Sequence, residues 1–450
     1  MPDFANMNWE ELLRPQGHAC ACGKHHACEL RNLFVGRGAV LRTPEALRSA
    51  GIHKPFVVCD ERTRAAAGNA VEAALKDAGV PYALYQLSGA SVEPDERAVG
   101  SLTMALPPDC DGVLAVGSGV INDCCKVLSH AARLPQIVVA TAPSMDGYAS
   151  ASSSMIRDRV KVSLYNACPV SIVADTLILS RAPERMLWAG LGDMLAKYVA
   201  LCEWRISHLV TGEYDCPDVA ALVRASLKRV SDAAGRLMAR EPEAVGAVAE
   251  GLVLSGVAMA FAGISRPASG LEHYFSHLWE MMSLDRGLPC ELHGVQVGVG
   301  TVLTLRLYDR IRALRPGDWN PDALAFDEAA WERNVRRVFG AAAPAVLQSA
   351  RREGRNDATT RRAHARTLSE HWDEVLRIIG EELPSAQEIV ALMRAVGMPV
   401  EPEEIGIGPQ DVQDAFVYSR DIRDKYLTST MLWDMGLLER FAQERAYAAG

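Results

Sequence analysis

Apolar and polar positions change their spacing along this chain near residue 183. Between about residues 30 and 180, short apolar runs rich in β-branched residues alternate with stretches of helical periodicity, a pattern typical of a parallel sheet with crossover helices. The runs predicted to be strands are 55–60, 81–85, 112–117 and 136–141, with a helix over 64–78. After residue 183, apolar positions recur at helical spacing. The pattern predicts an α/β protein with a parallel-sheet, dinucleotide-binding domain at 1–182 and an all-helical domain at 183–450.

Composition narrows the class of protein without identifying it. A chain of 450 residues is too long for one core, which agrees with two domains. The net charge of -9, with acids and bases mixed along the chain, argues against nucleic-acid binding. No charge-free apolar run of about 18 residues occurs, so neither membrane insertion nor secretion is expected. Eleven cysteines, including the adjacent pair Cys124 and Cys125, indicate reduced thiols in a cytoplasm.

Three histidines form the most informative pattern. His273 and His277 are four residues apart, on one face of a predicted helix, and His293 follows about five helical turns later. Asp193 stands in an otherwise apolar helix that two glycines open, and a buried carboxylate needs a partner or a cation. Simple packing of the histidines is the alternative. One carboxylate with two imidazoles would suit catalytic Zn²⁺, Ni²⁺ or Fe²⁺, with positions left open for substrate.

Two loops follow predicted strands. Gly117–Asp123 leads from a strand into a helix, where glycines and free backbone amides favour a dinucleotide pyrophosphate, although glycines also serve plain turns. Thr141–Ser150 carries hydroxyls and the carboxylate of Asp146, which either contacts a substrate hydroxyl or stabilises a turn. Asp60 ends an earlier strand, where it either binds an adenosine ribose or caps the next helix.

The segment over residues 15–30 is rich in metal-binding residue types. It contains Cys20, Cys22, His25, His26 and Cys28. A zinc knuckle is one interpretation, but no second half with paired spacing follows at the usual distance. An N-terminal turn that docks on the first domain is the alternative.

The loops, the Asp193 segment and the histidines occur in an order that resembles the iron-dependent alcohol dehydrogenase and dehydroquinate synthase superfamily. Within it, Thr141–Ser150 and Ser265–His273 resemble the bacterial type of the glycerol-1-phosphate dehydrogenase family, over roughly residues 15–440. The first loop reads Gly117-Ser118-Gly119, where many relatives carry three glycines. The resemblance implies a Rossmann-like N-terminal domain, a helical C-terminal domain, and homo-oligomers of two or more chains.

The resemblance also implies a reaction: reversible reduction of dihydroxyacetone phosphate to sn-glycerol 1-phosphate, with NAD(H) or NADP(H) and one divalent metal ion. It implies Asp193, His273 and His293 as metal ligands, with Asp193 also beside substrate, and His277 and Asp146 as catalytic residues that contact substrate. The implied cofactor-binding residues are Asp60, Gly117, Ser118, Gly119, Val120, Ile121, Thr141, Ala142, Pro143, Ser144 and Ser150. The metal would act as a Lewis acid on the ketone oxygen during hydride transfer, and His277 would relay a proton.

Other functions remain open. A dehydroquinate-synthase-like sugar-phosphate cyclase would need a basic cluster, and Lys197 is compatible with one. A polyol dehydrogenase would use an uncharged substrate, and a sensor would bind dinucleotide without turnover. Arg266 is a candidate for the phosphate site, although it could equally pair with Glu272 or Glu280.

Overall fold

The computed structural model describes residues 2–89, 92–158, 160–322 and 324–448. The chain forms two compact units that interleave in sequence. The first comprises residues 1–194 and 216–265, and the second comprises residues 195–215 and 266–450. The division into domains at residues 182 and 183 rests on where the strands stop and stays a prediction.

A six-stranded parallel sheet forms the centre of the first unit. Its strands, in chain order, are β1 Asn32–Gly36, β2 Pro55–Asp60, β3 Ala83–Leu87, β4 Gly112–Gly117, β5 Gln136–Ala140 and β6 Ser171–Asp175. They are arranged in the order β1-β6-β5-β4-β2-β3. The inner strands are buried on both faces, which explains their nearly continuous runs of apolar residues. The predicted strands are confirmed, with β3 two residues later at each end and β5 one residue shorter.

The direction of the chain through the sheet reverses between β2 and β4. From β2 the chain passes through helix Asn69–Asp77 to β3 at one edge, whereas from β4 it passes through helix Gly119–Ala132 to β5 on the other side. Parallel sheets bind ligands in the crevice at such a switch point, beyond the carboxyl ends of the strands. Asp60 and Gly117 end these two strands.

Helices and two small ribbons complete the first unit. The ribbons pair His18–Ala19 with His25–His26, and Ser152–Arg157 with Val160–Tyr165. The α-helices are Trp9–Leu12, Thr43–Ser49, Glu61–Thr63, Asn69–Asp77, Glu96–Ala105, Gly119–Ala132, Thr176–Leu179, Glu184–Leu195, Pro217–Leu237 and Pro242–Ala262. The predicted helix over 64–78 is a π-helical stretch, Arg64–Gly68, continued by Asn69–Asp77.

Helix Pro242–Ala262 is apolar and long enough to cross a membrane by length and composition. However, 78% of its most apolar window is buried within the protein. It packs against helix Pro217–Leu237 and against the turn Asp146–Ala149. Such burial is typical of a helix in a protein core.

Helices are the only regular secondary structure among the described residues of the second unit. Its α-helices are Lys197–Thr211, Leu271–Arg286, His293–Ile311, Glu328–Phe339, Ala343–Glu353, Ala358–Glu370, Trp372–Glu382, Ala386–Ala395, Pro409–Tyr418, Thr428–Asp434 and Leu438–Gln443. Helices Leu271–Arg286 and His293–Ile311 pack against each other, which places their histidines together. The predicted fold class, a parallel sheet followed by a helical region, is confirmed.

Candidate functional site

The loop after β4 has the form expected of an anion-binding turn. β4 ends at Gly117, and helix Gly119–Ala132 begins two residues later. The first amides of this helix, which have no partner within the helix, therefore follow directly on the carboxyl end of the strand. A Cβ atom at Gly117 would lie 2.5 Å from the Cβ of Ile121, so only glycine fits this sharp turn. The Ser118 side chain makes no capping bond to the helix. Its Oγ instead lies 2.9 Å from the Oγ of Ser144, which joins the two predicted cofactor loops.

A buried lysine holds the second loop in place. Lys126 is fully buried, and its Nζ donates to the carbonyl oxygens of Gly147, at 2.6 Å, and Ser152, at 3.0 Å. It also lies 3.5 Å from the Oγ of Ser150 and forms an ion pair with Asp123 at 3.8 Å. Burial lowers the pKa of Lys126. Sequence reasoning missed this role, because a lysine in an amphipathic helix is usually solvated.

Asp60 caps the short helix that follows β2. Its Oδ1 accepts from the Thr63 amide at 2.7 Å, while the Thr63 Oγ1 accepts from the Asp60 amide at 2.9 Å. This reciprocal pair is a capping box. The capping alternative is therefore confirmed, and a contact of Asp60 with a ribose stays a prediction.

Asp193 and Asp146 form a linked pair within the first unit. The Asp193 side chain is buried, and its Oδ2 accepts from the Asp146 amide at 2.8 Å. The Asp146 Oδ2 accepts from the Ser255 hydroxyl at 2.9 Å. Gly190 permits this arrangement, because a Cβ atom there would lie 1.8 Å from the carbonyl oxygen of Pro143. Helix Glu184–Leu195 thus touches the loop after β5 directly and carries Asp193 to it.

The three predicted histidines lie together in the second unit. The ring centroids of His273 and His277 are 6.3 Å apart, and each lies 5.4 Å from the centroid of His293. The Nδ1 of His273 lies 2.9 Å from an oxygen of buried Glu272. The Nδ1 of His293 lies 3.0 Å from the Oγ of Ser276. Each of these two rings is therefore oriented by a neighbour through Nδ1, as metal-binding imidazoles usually are.

Glu280 is a further acid in this cluster that sequence reasoning did not place there. One oxygen lies 3.2 Å from the Nδ1 of His293, and the other lies 3.8 Å from the Nδ1 of His277. One ligand atom from each of His277, Glu280 and His293 lies within 4.8 Å of the others. The position of Glu280, three residues after His277 in the same helix, is the signal that could have identified this acid.

Two buried carboxylates lie at the start of helix Leu271–Arg286: Glu272 within it and Glu203 beside it. Glu203 accepts from the amides of Leu271, at 3.1 Å, and Thr428, at 2.9 Å. Burial, with repulsion from Glu272, raises the pKa of Glu203 to about 7. A Cβ atom at Gly270 would lie within 2.8 Å of an oxygen of each acid, so glycine leaves room for both. Burial, with repulsion from Arg266, lowers the pKa of the nearby Lys425 to about 7.

Arg266 binds partners inside the protein that the sequence did not suggest. It is buried, and it pairs with Glu213 at 2.6 Å rather than with Glu272 or Glu280. Its guanidinium also donates to the carbonyl oxygen of Tyr426 at 2.7 Å. Its burial and these internal partners argue against a place for Arg266 in the phosphate site. Lys197 is also fully buried and donates to the carbonyl oxygen of Ala268, so it supplies no exposed basic cluster for a cyclase.

The implied metal ligands are divided between the two units. Asp193 belongs to the first unit, and His273 and His293 belong to the second. The structure brings the histidines together with one another and brings Asp193 together with Asp146. The set of three as a single metal site stays a prediction.

Comparison with known proteins gives consistent results. The family model described as iron-containing alcohol dehydrogenase matches residues 34–183. A glycerol-1-phosphate dehydrogenase [NAD(P)+] of Geobacillus stearothermophilus is 31% identical over 412 residues, 91% of this chain and 93% of the relative. The protein of the same name from Bacillus licheniformis is 29% identical over 424 residues, 93% of each chain.

Solved structures agree on the fold. The crystal structure of glycerol dehydrogenase from Schizosaccharomyces pombe superposes with a TM-score of 0.60 at 17% identity, covering 92% of this chain and 90% of that one. A probable glycerol dehydrogenase from Sinorhizobium meliloti gives a TM-score of 0.59 at 16% identity, covering 92% and 98%. At these identities the likeness establishes the architecture alone.

Proposed function

Because the chain belongs to the family of glycerol-1-phosphate dehydrogenases, we propose that it is a metal-dependent NAD(P)H oxidoreductase that reversibly reduces dihydroxyacetone phosphate to sn-glycerol 1-phosphate. The observation that carries this proposal is a sequence identity of about 30% to glycerol-1-phosphate dehydrogenases, over nine-tenths of this chain and of those relatives. The histidine cluster and the two loops at the carboxyl edge of the sheet supply the parts that such a reaction needs.

Asp193, His273 and His293 are the residues that would hold the divalent metal. One carboxylate and two imidazoles suit Zn²⁺, Ni²⁺ or Fe²⁺ and leave coordination positions for substrate. Their surroundings fit this role, since Asp193 is buried and acceptor-only, and the Nδ1 of His273 is paired with Glu272. When bound, the metal supplies Lewis-acid activation of the ketone oxygen.

The loop after β4 would bind the cofactor pyrophosphate. The first amides of helix Gly119–Ala132 offer donors and a favourable dipole to an anion. The loop after β5, held by Lys126, would support the nicotinamide end through Thr141, Ala142, Pro143, Ser144 and Ser150. Asp60, at the adjacent strand end, would lie at the adenosine end of the cofactor.

His277 and Asp146 would handle substrate. Reduction requires a hydride on C2 of the ketone and a proton on its oxygen, and an imidazole with a pKa near neutrality is suited to move that proton. His277 is half-buried, and its Nδ1 lies 3.8 Å from an oxygen of Glu280. Asp146, fixed by Ser255, would accept from a substrate hydroxyl.

We also expect a cytoplasmic homo-oligomer of two or more chains.

The first test measures oxidation of NADH and NADPH with dihydroxyacetone phosphate, beside unphosphorylated dihydroxyacetone as the control substrate. The assay is run before and after chelation, and again with Zn²⁺, Ni²⁺ or Fe²⁺ restored, and the product enantiomer is identified. The proposal predicts metal-dependent formation of sn-glycerol 1-phosphate. Equal rates with the unphosphorylated ketone would contradict the proposed substrate.

A set of variants tests the residue roles. Asp193→Ala and His293→Ala should lose the chelatable metal and turnover. Both should retain NADH binding through the loop after β4, although Asp193→Ala also removes the acceptor of the Asp146 amide in the loop after β5. His277→Ala should retain the metal and lose most of the rate, since it removes the proton donor and no proposed ligand. Loss of the metal from His277→Ala, with normal metal content in His293→Ala, would contradict these roles and make His277 the metal ligand instead of His293.

A further inference from the structure

The N-terminal segment meets a distant cysteine inside the first unit. Cys20, Cys22 and His26 come from the first ribbon and its turn, and Cys216 immediately precedes helix Pro217–Leu237. One ligand atom from each of these four residues lies within 4.8 Å of all the others. His26 and Cys216 are buried, whereas Cys20 and Cys22 are half-buried.

The distances match those between ligands on a tetrahedral zinc ion. Bonds of about 2.3 Å to sulfur and about 2.0 Å to nitrogen place two sulfurs roughly 3.8 Å apart, and a sulfur and a nitrogen roughly 3.5 Å apart. The sulfurs of Cys20 and Cys216 are 3.7 Å apart. The Nε2 of His26 lies 3.3 Å from the Cys22 sulfur and 3.5 Å from the Cys216 sulfur.

The imidazole is oriented as a metal ligand requires. The Nδ1 of His26 lies 2.7 Å from the carbonyl oxygen of Phe261, which can only accept a hydrogen bond. The proton therefore resides on Nδ1, and the lone pair of Nε2 points toward the three sulfurs. The His26 ring is also stacked on Phe261 and meets Phe4 edge-on, which fixes its plane.

We propose that Cys20, Cys22, His26 and Cys216 bind one structural Zn²⁺ ion, separate from the metal of the proposed reaction. Three thiolates and an imidazole make a complete tetrahedral set with no position left for substrate, which is typical of structural sites. His25 and Cys28 stay outside the set. The His25 Nε2 lies 2.7 Å from the Gln16 carbonyl oxygen, and the Cys28 sulfur lies 3.5 Å from that of Leu30.

The ion would fasten the start of the chain to two core helices. Cys216 immediately precedes helix Pro217–Leu237, and the His26 ring bonds to the Phe261 carbonyl oxygen near the end of helix Pro242–Ala262. Lys24 adds a bond from its Nζ to the Ala262 carbonyl oxygen at 3.0 Å. The two-residue strands of the ribbon are too short to hold this segment by themselves, so the metal would supply the missing stability.

The test begins with metal analysis of the full-length protein purified under reducing conditions. We expect zinc that resists chelation, one ion per chain, in addition to any metal that chelation removes together with activity. X-ray absorption at the zinc edge should show three sulfur ligands and one nitrogen ligand. Absence of retained zinc, or a zinc shell made of oxygen and nitrogen, would overturn the proposal.

Variants then identify the ligands. Cys216→Ser should lower the retained zinc from one ion per chain to nearly none while leaving the chelatable metal in place. Cys28→Ser, from the same segment, is the matched control and should keep both. Asp193→Ala should keep the structural zinc, so failure of the proposed function and failure of this site can be told apart. Full zinc content in Cys216→Ser would refute the site. So would an intact mass of the unaltered protein that is two hydrogens lighter than its sequence, because this indicates a disulfide. If Cys216→Ser does not fold, the zinc-edge measurement on the unaltered protein decides.

Discussion

The approach of helix Glu184–Leu195 to the loop after β5 can be tested by adding one methyl group. In Gly190→Ala, the new Cβ would lie 1.8 Å from the Pro143 carbonyl oxygen, whereas real Cβ atoms essentially never approach closer than 3.0 Å. The Cβ would also lie 3.0 Å from the Cγ1 of Val248, so the space is narrow on that side as well. The helix and the loop must therefore separate by about 1.2 Å or more to accept alanine.

That separation would act on stability and on the site together. Forcing an extra methyl into a packed core costs about 1–3 kcal/mol of unfolding free energy. Asp193 lies on the next turn of the same helix, so its 2.8 Å bond to the Asp146 amide would stretch or break. Misplacement of a functional group by about 1 Å can cost roughly 100-fold in rate. We expect Gly190→Ala to lose both stability and most of its dehydrogenase activity.

The assay combines urea unfolding with steady-state kinetics and metal analysis. Gly100→Ala is the matched control, because Gly100 is inside helix Glu96–Ala105 and a Cβ there meets nothing within 4 Å. Alanine at that site should raise the unfolding free energy by about 0.4–1 kcal/mol and leave kcat unchanged. If Gly190→Ala unfolded at the same urea concentration as the unaltered protein and kept its kcat, the close approach and its role would both be refuted.

Two further predictions concern buried charges. The pKa of Glu203 is raised to about 7, above its usual value near 4.3. The folded state therefore holds this proton more tightly than the unfolded state, and the unfolding free energy should fall by up to about 4 kcal/mol as the pH rises from about 4 to 7. Urea titrations should find a shallower slope in Glu203→Gln, and an unchanged slope would contradict the assignment. Lys126→Met should lower unfolding free energy by about 1–3 kcal/mol, because the carbonyl oxygens of Gly147 and Ser152 lose their charged donor. It should also raise the KM for NADH, and an unaltered KM would show that this lysine does not position the cofactor loop.

Local sequence patterns predicted the parts of the fold that depend on neighbours in the chain. Strands β2 and β4 match their predicted bounds because continuous apolar runs bounded by glycine, proline or acidic residues mark buried parallel strands. The clustering of His273 and His277 follows from helical periodicity alone. The cap formed by Asp60 also depends only on the three residues that follow it.

Contacts between distant segments were beyond such reasoning. Cys216 joins Cys20 across 196 positions, so a search for a second nearby cysteine pair could not find it. The partner of Arg266 is Glu213, 53 positions earlier, rather than the acids that stand close to it in sequence. In both cases periodicity indicates which face a residue occupies but not which segment packs on that face.

The pair Asp146 and Asp193 illustrates how packing, rather than motif, fixes a site. Gly190 lets one helix touch the loop at Pro143, and Gly256 lets helix Pro242–Ala262 touch it where a Cβ would lie 2.8 Å from that of Ala149. The first contact brings Asp193 to the Asp146 amide, and the second brings Ser255 to the Asp146 carboxylate. Both carboxylates are thus oriented by the protein before any ligand binds, so ligand binding need not spend free energy on ordering them.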